Sequence, residues 1–257
     1  MAANSRTLKI LITGASSGIG AAAAARLAEK GHEVALVARR KEELEKVARK
    51  VESKGGKAHV IPADLADASS AEKIVAEAVQ KMGGLDVLVN NAGFAHGRPV
   101  GKQKPERINQ MVDVNIRAPF LLAHYAIPHL EKSKKGRIIN VASFVGHVPL
   151  PGLAVYSASK FALVGFTEAL SAELAGKKIG VTAICPGLVD TPMAKDFPVA
   201  GPALRPEAVA KAIEEAIRNP TTHVFVPRTL EMAAAARRLA PRTFARGLRT
   251  YGRLRAR

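Results

Sequence analysis

Seven short apolar runs, separated by longer stretches with helical spacing, constrain this chain more than any other feature. The runs are Leu8–Thr13, Glu33–Ala38, Ala58–Pro62, Asp86–Asn90, Gly136–Ala142, Gly180–Cys185 and His223–Val226. Between them, segments such as Ile19–Lys30, Glu42–Lys54 and Ala71–Met82 repeat apolar residues at helical spacing and are long enough to serve as crossovers. Parallel neighbours cannot be joined by a tight hairpin, so this alternation predicts an α/β chain whose strands all run the same way. Ile10-Leu11-Ile12 and Val87-Leu88-Val89 are apolar at every position, as expected of strands covered by helices on both faces. The expectation is one doubly wound domain with a seven-stranded parallel sheet, and 257 residues at 47% hydrophobic content suffice for its core. Ligand then belongs at the carboxyl ends of the strands.

The first run leads directly into Thr13-Gly14-Ala15-Ser16-Ser17-Gly18-Ile19-Gly20 and an alanine-rich helix. Glycines there allow a sharp turn and bring backbone amides, with the positive end of the helix, against a pyrophosphate. Three residues separate the first two glycines instead of the single one of the common dinucleotide fingerprint, and a simple tight turn is the alternative reading. At the end of the second run stand Val37-Ala38-Arg39-Arg40-Lys41, with no acid before Glu42. A carboxylate at that place would bind the ribose hydroxyls of NAD, whereas guanidinium groups pair with the extra phosphate of NADP. Arg39, at the strand end, is the stronger candidate, with Arg40 beside it. A solvated helix start is the competing explanation.

Tyr156 and Lys160 open a long helical pattern four residues apart and share one face. A phenol with a reference pKa of ~10 is a poor base at neutral pH, and lowering it by ~3 units takes about 4 kcal/mol of preferential phenolate stabilisation. A nearby ammonium is the right kind of field. The pair alone is nonspecific, and its surroundings raise its weight. Ser143 follows an apolar run at a carboxyl end, where a hydroxyl can donate to a substrate carbonyl. Asn90-Asn91-Ala92-Gly93 closes the fourth run, Asn115 lies in a helical stretch beginning near Pro105, and Pro186-Gly187 ends the sixth run ahead of Thr191. Each of these has a turn or cap explanation by itself.

Taken in order, the motifs Thr13–Gly20, Asp64-Leu65, Asn90–Gly93, Asn115, Ser143, Tyr156 with Lys160, and Pro186-Gly187 with Thr191 resemble those of the short-chain dehydrogenase/reductase family from Thr7 to about Pro227. That resemblance implies a Rossmann-type fold and an NADP(H)-dependent oxidoreductase interconverting a carbonyl and an alcohol. It makes Tyr156 the general acid/base, has Lys160 bind the nicotinamide ribose and lower the Tyr156 pKa, has Ser143 polarise the carbonyl, and has Asn115 anchor a water relay. For the cofactor it implies Gly14, Ser16, Ser17, Gly18, Ile19 and Gly20 at the pyrophosphate, and Arg39 and Arg40 at the extra phosphate. Asp64 and Leu65 would meet the adenine, Asn91, Ala92 and Gly93 the adenine ribose, and Pro186, Gly187, Val189 and Thr191 the carboxamide, beside Tyr156 and Lys160. Substrate class stays open between a hydrophobic or lipid-like ketone, its pocket drawn from Phe94–Val100, Phe144–Leu153 and Met193–Leu204, and a 3-oxoacyl group on a carrier protein. A regulator that senses NADP(H) without catalysis is the alternative of a different kind. The family also implies a homodimer or homotetramer built on helices near Asn109–Leu130 and Ala154–Leu174.

No metal site is expected: His124 and His129 do not share a helix face, and the one cysteine, Cys185, has no activating neighbour in sequence. Met1–Thr7 is not followed by a long apolar segment, so a cytoplasmic protein is the expectation. The net charge of +17 favours anionic partners. From Arg228 onward nine arginines face one acid, Glu231, so that segment carries +8. The chain is therefore divided into a catalytic domain, residues 1–228, and a basic extension, residues 229–257. On a helix, Phe244, Leu248, Tyr251 and Leu254 fall opposite Arg242, Arg246, Arg249, Arg253 and Arg257. Packing on the enzyme or a sister subunit, contact with an anionic membrane surface, and disorder or another acidic partner remain open for it, with nucleic acid not expected.

Overall fold

A computed structural model describes residues 6–197 and 201–255. Its sheet holds seven parallel strands in the order β3-β2-β1-β4-β5-β6-β7. They are β1 (Lys9–Thr13), β2 (Glu33–Ala38), β3 (Lys57–Pro62), β4 (Val87–Asn90), β5 (Arg137–Val141), β6 (Gly180–Pro186) and β7 (His223–Val226). Each of the seven apolar runs becomes one of these strands, with ends shifted by a residue or two.

Alternation of side chains explains why the strands are apolar throughout. Ile10 and Ile12 point into a core with α1 (Gly18–Ala28), α2 (Lys41–Glu52) and α7 (Pro206–Arg218), where Ala24, Leu44 and Ile213 are fully buried. Leu11, between them, points the other way, into a core with α3 (Ser70–Met82), α5 (Ala118–Leu130) and α6 (Ala154–Glu173). The chain winds outward from β1 in one direction and from β4 in the other, so a crevice opens beyond the carboxyl ends of those two strands.

Before α5 lie α4 (Pro105–Val112) and a π-helical turn, Asp113–Arg117, continuous with both. After β7 come α8 (Leu230–Leu239) and α9 (Pro241–Arg255). The division at residue 228 falls between β7 and α8, yet α8 is part of the fold: Leu230 and Ala234 pack with Ala142, Cys185 and Phe225. The arginine count of the segment hides that inner face. On α9, Phe244, Leu248 and Gly252 are half-buried while Arg242, Arg246, Arg249 and Arg253 are exposed, so its apolar side turns inward. The side chains of Tyr251 and Leu254, and Arg257 altogether, lie outside the described residues, as do 198–200 of the expected Met193–Leu204 wall. No helix among the described residues is long and apolar enough to cross a membrane.

Candidate active site

The crevice is framed first by the turn after β1. Gly14 and Gly18 have φ of +65° and +54°, in the left-handed region that glycine enters without strain. A Cβ on Gly14 would stand 2.8 Å from Ala92 Cα, and one on Gly18 3.0 Å from Thr191 Cγ2, so the turn fits between the ends of β4 and β6 only without side chains. Thr13 Oγ1 accepts from the amides of Asn91 (3.1 Å) and Ala92 (3.0 Å). Asn91 Nδ2 donates back to the carbonyls of Thr13 (2.8 Å) and Gly14 (3.2 Å). These bonds tie the two strand ends together and employ the amide of Asn91 in holding the turn. Gly20 stands behind the turn, where a Cβ would lie 2.4 Å from the Gly14 carbonyl oxygen; close packing accounts for that glycine, and it does not line the cleft.

At the end of β2, Arg39 and Arg40 are exposed and line the same cleft, and Arg40 Nη2 approaches Ser16 Oγ at 3.4 Å. Two cations and a hydroxyl therefore share the strand end with no acid among them. Asp64 and Leu65, just past β3, complete that rim.

On the other side of the crevice three of the candidate side chains converge. Ser143 follows β5, and its Oγ accepts from the Val145 amide at 3.3 Å, which fixes the short turn after the strand. Tyr156 and Lys160, on the first two turns of α6, are 5% and 3% exposed. Lys160 Nζ donates to the Val141 carbonyl at 2.9 Å and lies 5.7 Å from the centre of the Tyr156 ring. Burial pushes the Tyr156 phenol up to about 12, and its hydrogen bond with Ser143 works against that rise. Burial also pushes the Lys160 ammonium down to about 8. In the free protein burial is thus the dominant influence on both groups.

Asn115 sits in the π-helical turn, a distortion common at functional positions. Its Oδ1 accepts from the Phe94 amide at 2.7 Å, and its Nδ2 donates to the Phe94 carbonyl (2.8 Å) and to Ser159 Oγ (2.9 Å). Ser159 Oγ donates in turn to the Tyr156 carbonyl at 2.7 Å. Asn115 therefore clasps the irregular segment after β4 to the helix turn that carries Tyr156. It lies behind the cleft wall, buried to 1%, and is not itself a lining residue.

The cleft has a volume of about 310 Å³ and runs from Arg39 through the glycine turn to Tyr156. Apart from Gly20 and Asn115, every residue expected to serve catalysis or hold the cofactor lines it, including Ile19, Pro186, Gly187 and Val189. A Cβ on Gly93 would project between Asn115 Oδ1 (3.5 Å), Met193 Cε (3.5 Å) and Lys160 Nζ (3.7 Å), so this glycine keeps the centre of the cleft open. Glycines that open space, donors along the turn and cations at the strand end fit an elongated, anionic dinucleotide. Sequence reasoning missed Gln110, Val114, Ala38 and Ala63, which carry no motif and reach the cleft only through the packing of α4 and the strand ends. Of the expected substrate segments, Phe94, Met193 and Phe197 line the cleft, while no residue of Phe144–Leu153 does. That last segment packs behind Tyr156 instead, with Val145 and Leu153 buried against it.

The short chain dehydrogenase family model matches residues 8–199. A curated relative, the 3-oxoacyl-[acyl-carrier-protein] reductase of Staphylococcus aureus, is 38% identical over 188 residues, covering 73% of this chain and 76% of the relative. The ketoacyl reductase of a Nostoc species is 35% identical over 222 residues, 84% of this chain and 77% of that one. Among solved structures, a 3-ketoacyl-(acyl-carrier-protein) reductase from Brucella melitensis complexed with NADH superposes with a TM-score of 0.79 at 34% identity, covering 84% of this chain and 95% of that one. An alcohol dehydrogenase from Thermococcus sibiricus complexed with 5-hydroxy-NADP superposes equally well, at 0.79 with 25% identity over 86% and 96% of the two chains. The chain belongs to the short-chain dehydrogenase family. It is an oxidoreductase of the carbonyl/alcohol couple that uses a nicotinamide dinucleotide.

Proposed function

We propose that this protein is an NADPH-dependent reductase of hydrophobic ketones, with Ser143, Tyr156 and Lys160 as its catalytic residues and Asn115 holding them in place. The observation that carries this reading is the convergence of those three side chains on one end of a cleft walled by Phe94, Met193 and Phe197. Phe197 lies against the Tyr156 ring, with centres 5.3 Å apart, so a ketone presented to the phenol meets aromatic and thioether surface. The preference for NADPH is supported by Arg39, Arg40 and Ser16 at the end of β2, where the extra phosphate would gain charge-assisted hydrogen bonds and a carboxylate partner for NADH is lacking.

A nicotinamide held in the cleft by the residues after β4 and β6 would supply the hydride for the carbonyl carbon. Ser143 donates a hydrogen bond to the carbonyl oxygen and stabilises the alkoxide as it forms. Tyr156, kept protonated by burial, transfers its phenolic proton to that oxygen. Lys160, anchored on the Val141 carbonyl, has further ammonium protons for ribose hydroxyls and sets a positive charge near the phenolate left behind. Asn115 ties α6 to the loop segment at Phe94, so that phenol and substrate wall stay aligned. A homo-oligomer through α5 and α6 is part of the same reading.

A second reading, reduction of a 3-oxoacyl group held on a carrier protein, is favoured by the names of the curated relatives. One assay separates the readings: NADPH and NADH oxidation followed by absorbance across long-chain ketones, short polar ketones and 3-oxoacyl thioesters, free and carrier-bound. Turnover of long-chain ketones with NADPH is the expected result. Exclusive turnover of carrier-bound thioesters selects the second reading. Tight NADPH binding with no oxidation of any substrate overturns both in favour of a sensor.

A further inference from the structure

The extension after β7 leaves two exposed features that the proposed chemistry does not use. The first is on α8. Its inner side is set by Leu230, Ala234 and Arg237, of which Arg237 donates to the His147 carbonyl at 2.7 Å and stacks 4.8 Å from the Phe161 ring. At 100° per residue the opposite side consists of Met232, Ala235, Ala236 and Leu239, all exposed and all apolar. Met232 and Leu239, at 76% and 86%, are the two most exposed large hydrophobic side chains among the described residues. The second feature is on α9, where the exposed residues Arg242, Arg246, Arg249 and Arg253 fall within one narrow stripe. Single exposed apolar residues are common, but α8 and α9 are in contact, and an unbroken apolar stripe on the one with an arginine stripe on the other supplies both elements of an amphipathic docking surface.

We infer that the outer surface of α8 and α9 is a docking site for an anionic lipid surface, with Met232 and Leu239 entering the acyl boundary and the α9 arginines engaging headgroups. Charge decides the occupant. A second copy of the chain would meet this surface by two-fold symmetry, setting each arginine stripe against its own image, with Glu231 as the only acid in residues 228–257. An anionic bilayer supplies the opposite charge everywhere along the stripe and an apolar medium directly beneath it. Two long, flexible side chains on a convex helix suit that medium, which needs no fitted pocket. The mode differs from the one that the α9 periodicity suggests, because Phe244 and Leu248 are turned inward and α8 provides the apolar contact instead. Close approach of Gly252 to Pro151, whose Cγ lies 3.7 Å from a Cβ built on that glycine, lays α9 beside the segment joining Ser143 to Tyr156. The docked surface would thus border the catalytic side of the molecule. This inference does not depend on the substrate class proposed above.

The test is co-sedimentation of the full chain with vesicles of phosphatidylcholine alone and of phosphatidylcholine mixed with phosphatidylglycerol. Binding is expected only to the mixed vesicles, weakening as salt rises. Replacing Arg242, Arg246, Arg249 and Arg253 together by Gln should reduce partitioning by roughly a thousandfold at low salt. The pair Met232→Ser with Leu239→Ser should reduce it by about tenfold. Both variants alter exposed side chains only, and unchanged NADPH binding by fluorescence shows that they are folded. Failure of the full chain to bind mixed vesicles at low salt overturns the inference, as does equal binding by both variants. A lipid-free change in oligomeric mass on light scattering in the Ser pair would assign the stripe to a second copy. Capture by a purified acidic carrier protein, without vesicle binding, would assign it to a protein partner.

Discussion

The two ends of the cleft are built on different principles. Around β1 and β2 the geometry is carried by backbone: left-handed glycines at 14 and 18, a threonine hydroxyl bridging strand ends, and arginines exposed to water. Around β5 and α6 it is carried by buried ionisable groups, with a phenol pushed up to about 12 and an ammonium pushed down to about 8 by the same loss of hydration. The first end recognises shape and charge at a distance. The second holds protons in defined places, so its substitutions should act on turnover more than on binding.

Tyr156→Phe tests that separation most strongly. It deletes the hydroxyl and keeps the ring that packs on Phe197, so kcat should fall by about 10³–10⁴ while NADPH affinity, read by fluorescence titration, stays within a few-fold. A matching loss of NADPH affinity would break the comparison, because the phenol would then belong to the nucleotide site as well. At the opposite end, Arg39→Asp should raise KM for NADPH by about 10–100-fold, the range of one or two lost charge-assisted hydrogen bonds, and improve use of NADH. Here kcat with saturating NADPH should hardly move. If Arg39→Asp retains its preference for NADPH, Arg40 with Ser16 carries the phosphate instead.

These two ends were also unequally legible in the sequence. The glycines and Arg39 could be read because their effect is local: a turn needs glycine where it needs it, and a strand end needs a cation or an acid. Tyr156, Lys160 and Ser143 became legible only as an ordered set, since a Tyr–Lys spacing of four occurs on many helices. What could not be read is what buries them. The π-helical turn that aims Asn115 at Phe94 and Ser159 has no composition of its own, and the role of Thr13 as a bridge between β1 and β4 appears only when those strands are neighbours. The inner face of α8 was hidden for a related reason: its packing partners, Ala142 and Cys185, are distant in sequence and its arginines dominate the composition.

The Lys160 ammonium offers a sharper probe of the catalytic end. Its pKa of about 8 in the free protein means that the charge is present at neutral pH and is lost as pH rises through that value. Tyr156 remains protonated over the same range, so kcat/KM for reduction should decline above about pH 8 by up to tenfold per unit with Lys160 as the cause. Lys160→Arg, whose guanidinium stays charged, should show no such limb whatever its absolute rate. An identical alkaline limb in that variant would place the titrating group elsewhere.

The smallest expected effect concerns acid rather than base, and compares a buried histidine at the amino ends of β1 and β2, away from the cleft, with one beside its catalytic end. His32 Nδ1 accepts from the Leu8 amide at 3.3 Å beside β1, and burial lowers its pKa. His147, four residues past Ser143 and 3.4 Å from Cys185 Sγ, is lowered to about 4 by burial and then by His223, Arg238 and Arg237. A histidine whose folded pKa lies below its unfolded value binds its proton more readily when unfolded. The stability due to its neutral form is complete above about pH 6.5 and is lost as pH falls from there toward about 4. At about pH 5.5 the loss through His147 amounts to about 1 kcal/mol, or a Tm some 2–4 °C lower than at neutral pH. In His147→Gln that fraction of the acid shift should disappear from a melting series between neutral pH and pH ~5, whatever the variant's stability at neutral pH. An unchanged slope in His147→Gln, with a flattened one in His32→Gln, would put the acid-sensitive step at the amino ends of β1 and β2, at the end of the sheet away from the cleft.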